Sequence, residues 1–391
     1  MELEKEPNNY LKHLGLFIIT LACTTMSGAE WLTGKSILAK GEFAMTWSDF
    51  LAGLEFSIPF LGILTFHEFG HYFMARKYSI PVTLPYYIPG WLGFMGSPSI
   101  GTFGAVIRIK GAIQSTKEYF DVGVAGPLAG FVIAIMVMFY AFTNLPPADF
   151  IFEIHPEYEQ YGLEYAEHVY DPNNQENANL MQFKLGPNIL FWLFETYVAD
   201  PERMPNYYEI IHFPWLFASY LALFFTALNL LPIGQLDGGH VVFGLFGSRK
   251  HGYISSAVFL VFLFYSGLGL ISPMEPAMDL MWSIPLYIGF LFICLSRLIR
   301  SPFDRIAMAF MIFTIQFACQ WFWPDFQGYT GWLLYCLLIG RFMGVHHPRV
   351  LFEQKLDRKR QIIGWIALVI FVLCFSPQPF MFEEAIALME P

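Results

Sequence analysis

The chain has 391 residues, of which 55% are apolar, 18% aromatic and 14% charged. Soluble proteins carry roughly a quarter charged residues, so this composition excludes a chain whose whole surface faces water. The formal charge of −10 also excludes a nucleic-acid partner: twelve acidic residues against two basic ones, Lys184 and Arg203, fall between Asp149 and Glu209, and the rest of the chain sums to zero, which leaves no basic groove for phosphates.

Apolar runs near 14–27, 55–75, 121–142, 213–232, 253–272, 281–299, 306–323, 329–345 and 361–376 give about nine candidate spans, several of them reaching the roughly 20 residues that a helix needs to cross about 30 Å of hydrocarbon. The predicted fold is therefore an all-α polytopic membrane protein with about eight to nine transmembrane helices. Alternating the sides of these spans puts eighteen of the twenty-two Lys and Arg on one side and leaves only Lys35, Lys40, Lys184 and Arg203 on the other. The positive-inside bias makes the first side the cytoplasm, and the expected location is a bacterial inner (plasma) membrane. The start, MELEKEPNNY, is net acidic and lacks the basic start of a secretory signal, so the first run reads as a retained anchor helix, with a cleaved signal as the alternative. The five cysteines stand singly inside apolar runs and form no CxxC pair.

The second run holds Phe66-His67-Glu68-Phe69-Gly70-His71. Ionisable groups inside a span are costly unless neutralised, paired or bound. Residues four apart share a helix face, so both imidazoles can reach one point with Glu68 one step round. This is the HExxH pattern in which two histidines bind zinc and the glutamate acts as general base. The competing reading is two interior histidines bonded to neighbouring helices. From His67 to Arg76-Lys77 is about nine residues, roughly 14 Å of helix, which puts such a metal within hydrocarbon depth.

The connection 79–120 is rich in Pro and Gly, and its apolar residues alternate across 100–110. Period two predicts a β-hairpin with 80–89 as partner, at or dipping into the cytoplasmic membrane face, against an irregular loop. The acidic connection 144–212 shows no regular strand spacing and is expected outside the cytoplasm. Within it, 188–198 is apolar but too short to span.

Further on, Asn229-Leu-Leu-Pro232-Ile-Gly-Gln-Leu-Asp237-Gly238-Gly239-His240 closes an apolar run. Pro232 breaks the helix and the glycines permit a sharp turn, so Asp237 is a candidate third ligand, or else the N-cap of the next helix. His240 reads as a helix-start residue or a partner to the ligands, and His346-His347, with no carboxylate ligand near them in sequence, as polar residues facing water.

Together, His67-Glu68-x-x-His71 and Asn229-x-x-Pro232-x-x-x-x-Asp237-Gly238 resemble the site-2 protease family of intramembrane zinc metalloproteases, and the 229–240 wording is closest to its plastid and cyanobacterial branch. Gly101 to Ala105 resembles the family's re-entrant hairpin, and Ala125 to Gly130 the small-residue opening of its third core helix. The resemblance implies one Zn2+ per chain held by His67, His71 and Asp237, Glu68 as catalytic base, Asn229 holding the substrate backbone, and transmembrane-protein or signal-peptide substrates in the bilayer. It divides the chain into an anchor region (1–50), two core parts (51–143 and 213–250), the acidic insertion (144–212) between them, and additional helices (251–391). The peptide-sensing domain of the family's bacterial branch has no counterpart here. Alternatives are a protease of prenylated termini, which would use a downstream glutamate as ligand, a metal transporter, and a catalytically silent binding protein.

Overall fold

The computed structural model describes residues 10–97, 99–171 and 181–384; the acidic start at 1–9 and part of the insertion, 172–180, lie outside them. Among the described residues, each of the nine apolar runs is helical. Five of these helices, Tyr10–Thr33, Trp47–Lys77, Thr116–Thr143, Ala277–Arg297 and Pro302–Phe322, are long and apolar enough to cross a membrane. The others depart for identifiable reasons. Pro214–Leu230 and Arg358–Cys374 have 17 residues each, and Trp332–Met343 is shorter still. Asp237–Gly267 is long, but it is broken at Gly247, where φ is 77°, and ends at Gly267, short of the predicted end at 272.

The chain forms two compact units. The first takes residues 1–112, 125–228 and 370–391. It opens with α1 (Tyr10–Thr33), α2 (Trp47–Ala52) and α3 (Leu54–Lys77). Thr46 caps α2 in a reciprocal capping box with Asp49, and α3 carries Glu55 in its first turn and Arg76 and Lys77 in its last, matching the charge of its dipole ends. Gly53, between α2 and α3, lets α1 approach closely: a Cβ there would lie 2.1 Å from the Thr25 carbonyl oxygen. The hydroxyls of Thr25 and Ser57 meet at 2.9 Å beside it.

Strands β1 (Tyr86–Gly90) and β2 (Gly101–Val106) pair antiparallel, Tyr86 opposite Val106, with a bulge between Tyr87 and Pro89. The hairpin predicted from alternation is thus present, and its ladder runs on to the Val82/Ile109 bridge. Tyr87 and Ala105 pack on Leu61 of α3, with Phe17 and Leu21 of α1 beside them. This fixes the strand edge against the helix that carries the histidines. Helix α4 (Thr116–Thr143) follows, its residues from 125 onward in this unit.

The insertion has a small core of its own. Helices α5 (Ile151–Ile154) and α6 (Tyr165–Val169) bury Ile151, Tyr165 and Val169 against Phe152, Tyr158 and Tyr170. Strand β3 (Met181–Leu185) then pairs antiparallel with β4 (Phe380–Glu384) near the other end of the chain. The Tyr220 hydroxyl ties this pair down, 2.6 Å from the Gly186 and 2.7 Å from the Pro379 carbonyl oxygen. Helix α7 (Ile189–Tyr197) is capped by the Asn188 side chain; it buries Leu190 and Phe191 and exposes Trp192 and Tyr197. Most of α8 (Pro214–Leu230) completes the unit.

The second unit takes 113–124 and 229–369. It contains α9 (Asp237–Gly267), α10 (Ala277–Cys294), α11 (Pro302–Phe322), α12 (Trp332–Leu337), which continues as a π-helical segment to Met343, and most of α13 (Arg358–Cys374). Arg360 forks onto the Asp121 carboxylate at 2.7 and 2.8 Å and also pairs with Asp357. The Tyr287 hydroxyl donates to Gln316 at 3.0 Å in the buried contact of α10 with α11.

Candidate metal centre

Helix α3 alone brings three of the predicted site residues together. His67, Glu68 and His71 are 7%, 6% and 8% exposed, and the one-turn spacing sets the two Nε2 atoms 3.1 Å apart. A tetrahedral zinc ion with bonds of about 2.0–2.1 Å separates its ligand atoms by roughly 3.3 Å, so this pair fits one metal without rearrangement. Glu68 has differentiated oxygens. Oε2 accepts the Ile107 backbone N–H at 3.0 Å, whereas Oε1 lies 3.9 Å from His67 Nε2.

Ile107 follows β2 directly. Its neighbour Arg108 turns the other way, donating its N–H to Thr83 Oγ1 and accepting from the Thr83 N–H. Because successive strand residues face opposite edges, the Ile107 N–H belongs to the edge turned away from β1. The glutamate is therefore clamped by the outer edge of the hairpin.

The other wall comes from α4. Its small-residue stretch packs closely on α3: a Cβ on Gly70 would lie 2.5 Å from the Ala125 carbonyl oxygen. Gly126 has a second role. A Cβ there would fall 2.1 Å from His71 Nε2, and one on Gly130 3.0 Å from His67 Cβ. The missing side chain at 126 is the space in which the His71 ring stands.

Asn229 and Asp237 lie in the second unit, on either side of a turn. Asn229 is in the last turn of α8 and Asp237 is the first helical residue of α9. The N-cap is Leu236, so Asp237 does not hold the capping position considered for it. Gly234 makes the turn with φ of 58°, a left-handed conformation suited to glycine. Its N–H donates to Ser255 Oγ at 2.8 Å, and that hydroxyl donates to the Val345 carbonyl at 2.5 Å. Ser255 is fully buried, so α9 holds the turn that presents Asp237.

His240 lies in the first turn of α9, in line with its reading as a helix-start residue rather than a partner to the ligands, whereas His347 was expected to be surface polar. His347 is not a free surface residue: its Nε2 lies 2.8 Å from His240 Nδ1, and its ring stacks on Phe243 with centroids 3.8 Å apart. His346 remains exposed. The sequence also left unmarked the Ile107 amide, which has no residue-type signature, and Ser255, whose partners lie far along the chain.

Residues 55–273, more than half of the chain, match peptidase family M50. The chain belongs to this family, the site-2 proteases. Among the relatives of this M50 chain, the probable zinc metalloprotease EGY2, chloroplastic, of Oryza sativa subsp. indica is 28% identical over 194 residues, which cover 50% of this chain and 29% of that protein. The probable zinc metalloprotease EGY1, chloroplastic, of Arabidopsis thaliana is 25% identical over 252 residues, 61% of this chain and 40% of that protein. Both agree with the plastid-type wording of residues 229–240. The chain spans well under half the length of these curated relatives. No solved structure matches it.

Proposed function

We propose that this chain is an intramembrane zinc endopeptidase that hydrolyses peptide bonds within or beside transmembrane segments of membrane proteins or signal peptides. The observation that carries the proposal is the buried pair of imidazole nitrogens 3.1 Å apart with a glutamate next to them. A metal transporter would need no base beside its ligands, and a silent binding protein would need neither.

In this proposal His67, His71 and Asp237 hold one zinc ion, and the catalytic core is formed by 51–143 with 213–250. When bound, zinc supplies Lewis acidity and a water acidified towards a pKa of about 7. Glu68 does the proton work. With Oε2 held by the Ile107 N–H, Oε1 takes a proton from the water as its oxygen attacks the scissile carbonyl carbon. The same proton then goes to the departing amine nitrogen as the C–N bond breaks. Asn229 donates to the substrate carbonyl and orients it. Hydrolysis needs water, which the hydrocarbon of the bilayer excludes, so the site must open to the side of the basic loops, which in a bacterial inner membrane is the cytoplasm. The helices shorter than a full span complete the eight to nine crossings.

A transmembrane substrate arrives as a helix and must unwind before its carbonyls can be attacked. The outer edge of β2, which already reaches Glu68, is where the unwound segment would add as an extra strand and regain its hydrogen bonds.

Three measurements test this reading. Purified protein should cleave a helical transmembrane test peptide, lose that activity on chelation and regain it with Zn2+. Asp237→Ala should lower zinc content and abolish cleavage; full activity without zinc would end the proposal. Ile107→Pro, which removes the edge N–H, should keep zinc yet slow cleavage at least about tenfold, or ~1.4 kcal/mol of barrier. An unchanged rate would remove the edge from the mechanism.

A further inference from the structure

The acidic insertion contains a second convergence of ligand-type side chains, wholly within the first unit. His155, just after α5, and His212, just before α8, are 57 residues apart in sequence, and their Nε2 atoms are 3.2 Å apart. Glu209 Oε2 lies 3.5 Å from His212 Nε2 and 4.0 Å from His155 Nε2. All three atoms lie within 4.8 Å of one another. Glu209 is 1% and His212 8% exposed.

The outer contacts determine which atoms carry hydrogens. His155 Nδ1 faces Glu157 Oε1 at 3.1 Å, and His212 Nδ1 faces the Leu32 carbonyl oxygen at 3.1 Å. Both partners only accept, so each Nδ1 is the N–H of its ring, and the two Nε2 atoms present lone pairs to each other. Glu209 Oε1 is taken by the Tyr170 hydroxyl, which aims Oε2 at the same point. Three electron-pair donors therefore meet, two of them buried, where they would repel one another without a cation between them. An N–H bonded to a carboxylate or carbonyl on the far side of the ring is the usual support of a metal-binding histidine.

We propose that His155, Glu209 and His212 form a second zinc site, separate from the His67/His71 centre, which clasps the insertion shut. The separations bracket the roughly 3.3 Å edge of a tetrahedral site. Two nitrogens and one carboxylate oxygen are a donor set of zinc type. The ion ties the segment after α5 to the start of α8, and through the Leu32 carbonyl to the end of α1. A cross-link over so long a loop stabilises by limiting the unfolded chain. A proton shared by the two imidazoles is the competing occupant, but it would leave Glu209 Oε2 with no bond of its own.

The test is metal counting on purified full-length chain, reloaded with Zn2+ or Co2+ after chelation. Two zinc ions per wild-type chain are expected, one in His155→Ala and one in His71→Ala. The Co2+-loaded His71→Ala chain should show the visible absorption of a four-coordinate site. Zn2+ should raise its thermal midpoint by several degrees, and the rise should vanish in His71→Ala/His155→Ala. His155 is the more exposed ligand, with 27% side-chain exposure against 10% for His212, so its replacement spares the fold. A single zinc ion that is lost in His71→Ala and kept in His155→Ala would overturn the second site. A single ion kept in His71→Ala and lost in His155→Ala would uphold it while removing the proposed catalytic zinc.

Discussion

Glu68→Gln should abolish cleavage while the chain keeps its full zinc content. The substitution preserves shape, and a glutamine oxygen can still accept the Ile107 N–H that now bonds Oε2. The group lost is the basic oxygen that carries a proton from water to the leaving amine. Removing a positioned general base costs about 10²–10⁴ in rate, and here the same residue serves as base and then as acid. The rate of peptide hydrolysis and the zinc per chain, measured on one preparation, separate the proposals. A transporter or a binding protein would keep its function in this variant. Equal hydrolysis by wild type and variant would mean that Glu68 is not the proton carrier, however well the histidines bind metal.

What was legible in the sequence follows the range of each interaction. The His67/Glu68/His71 cluster could be read because the helix itself makes the geometry: a spacing of four stacks the rings, and the helix needs no distant partner to do so. The hairpin could be read because alternation and nearby Gly and Pro are local signals, and its strands are neighbours in sequence. Gly126 was partly legible, since a small-residue stretch announces close approach but not the ring that fills the space. Strand β3 was not, because its pairing partner β4 lies near the far end of the chain. The same holds for His155 with His212 and for His240 with His347, where no repeat or spacing links the residues and only the fold sets them within 3.2 and 2.8 Å. The span count shows the reverse failure. Hydropathy found a helix in every apolar run but could not see that the run from 253 stops at Gly267 or that the helix from Trp332 stops at Met343.

Gly126→Ala should empty the His67/His71 centre of metal without touching a ligand. An alanine normally favours a helix interior over glycine by about 0.5–1 kcal/mol, so on backbone grounds α4 should gain. The added methyl would nevertheless stand 2.1 Å from His71 Nε2 and 2.4 and 2.5 Å from the adjacent ring carbons, distances that van der Waals contact forbids. Moving α4 away would open the close Ala125–Gly70 contact that packs it on α3, whereas the ring turns about only two side-chain bonds. The imidazole must move instead, and a ligand nitrogen displaced by about an ångström no longer meets bonds of roughly 2.0–2.1 Å. Loss of zinc at this centre with helical content intact is the expected result, together with cleavage reduced at least about a hundredfold, equivalent to ~2.7 kcal/mol. Gly62→Ala supplies the control, since it lies on α3 itself, five positions before His67, and a Cβ there meets nothing within 4 Å. That variant should bind zinc and cleave as wild type does. If Gly126→Ala behaved the same way, the ring would not need the space that the glycine leaves, and the placement of His71 as a ligand would have to be withdrawn.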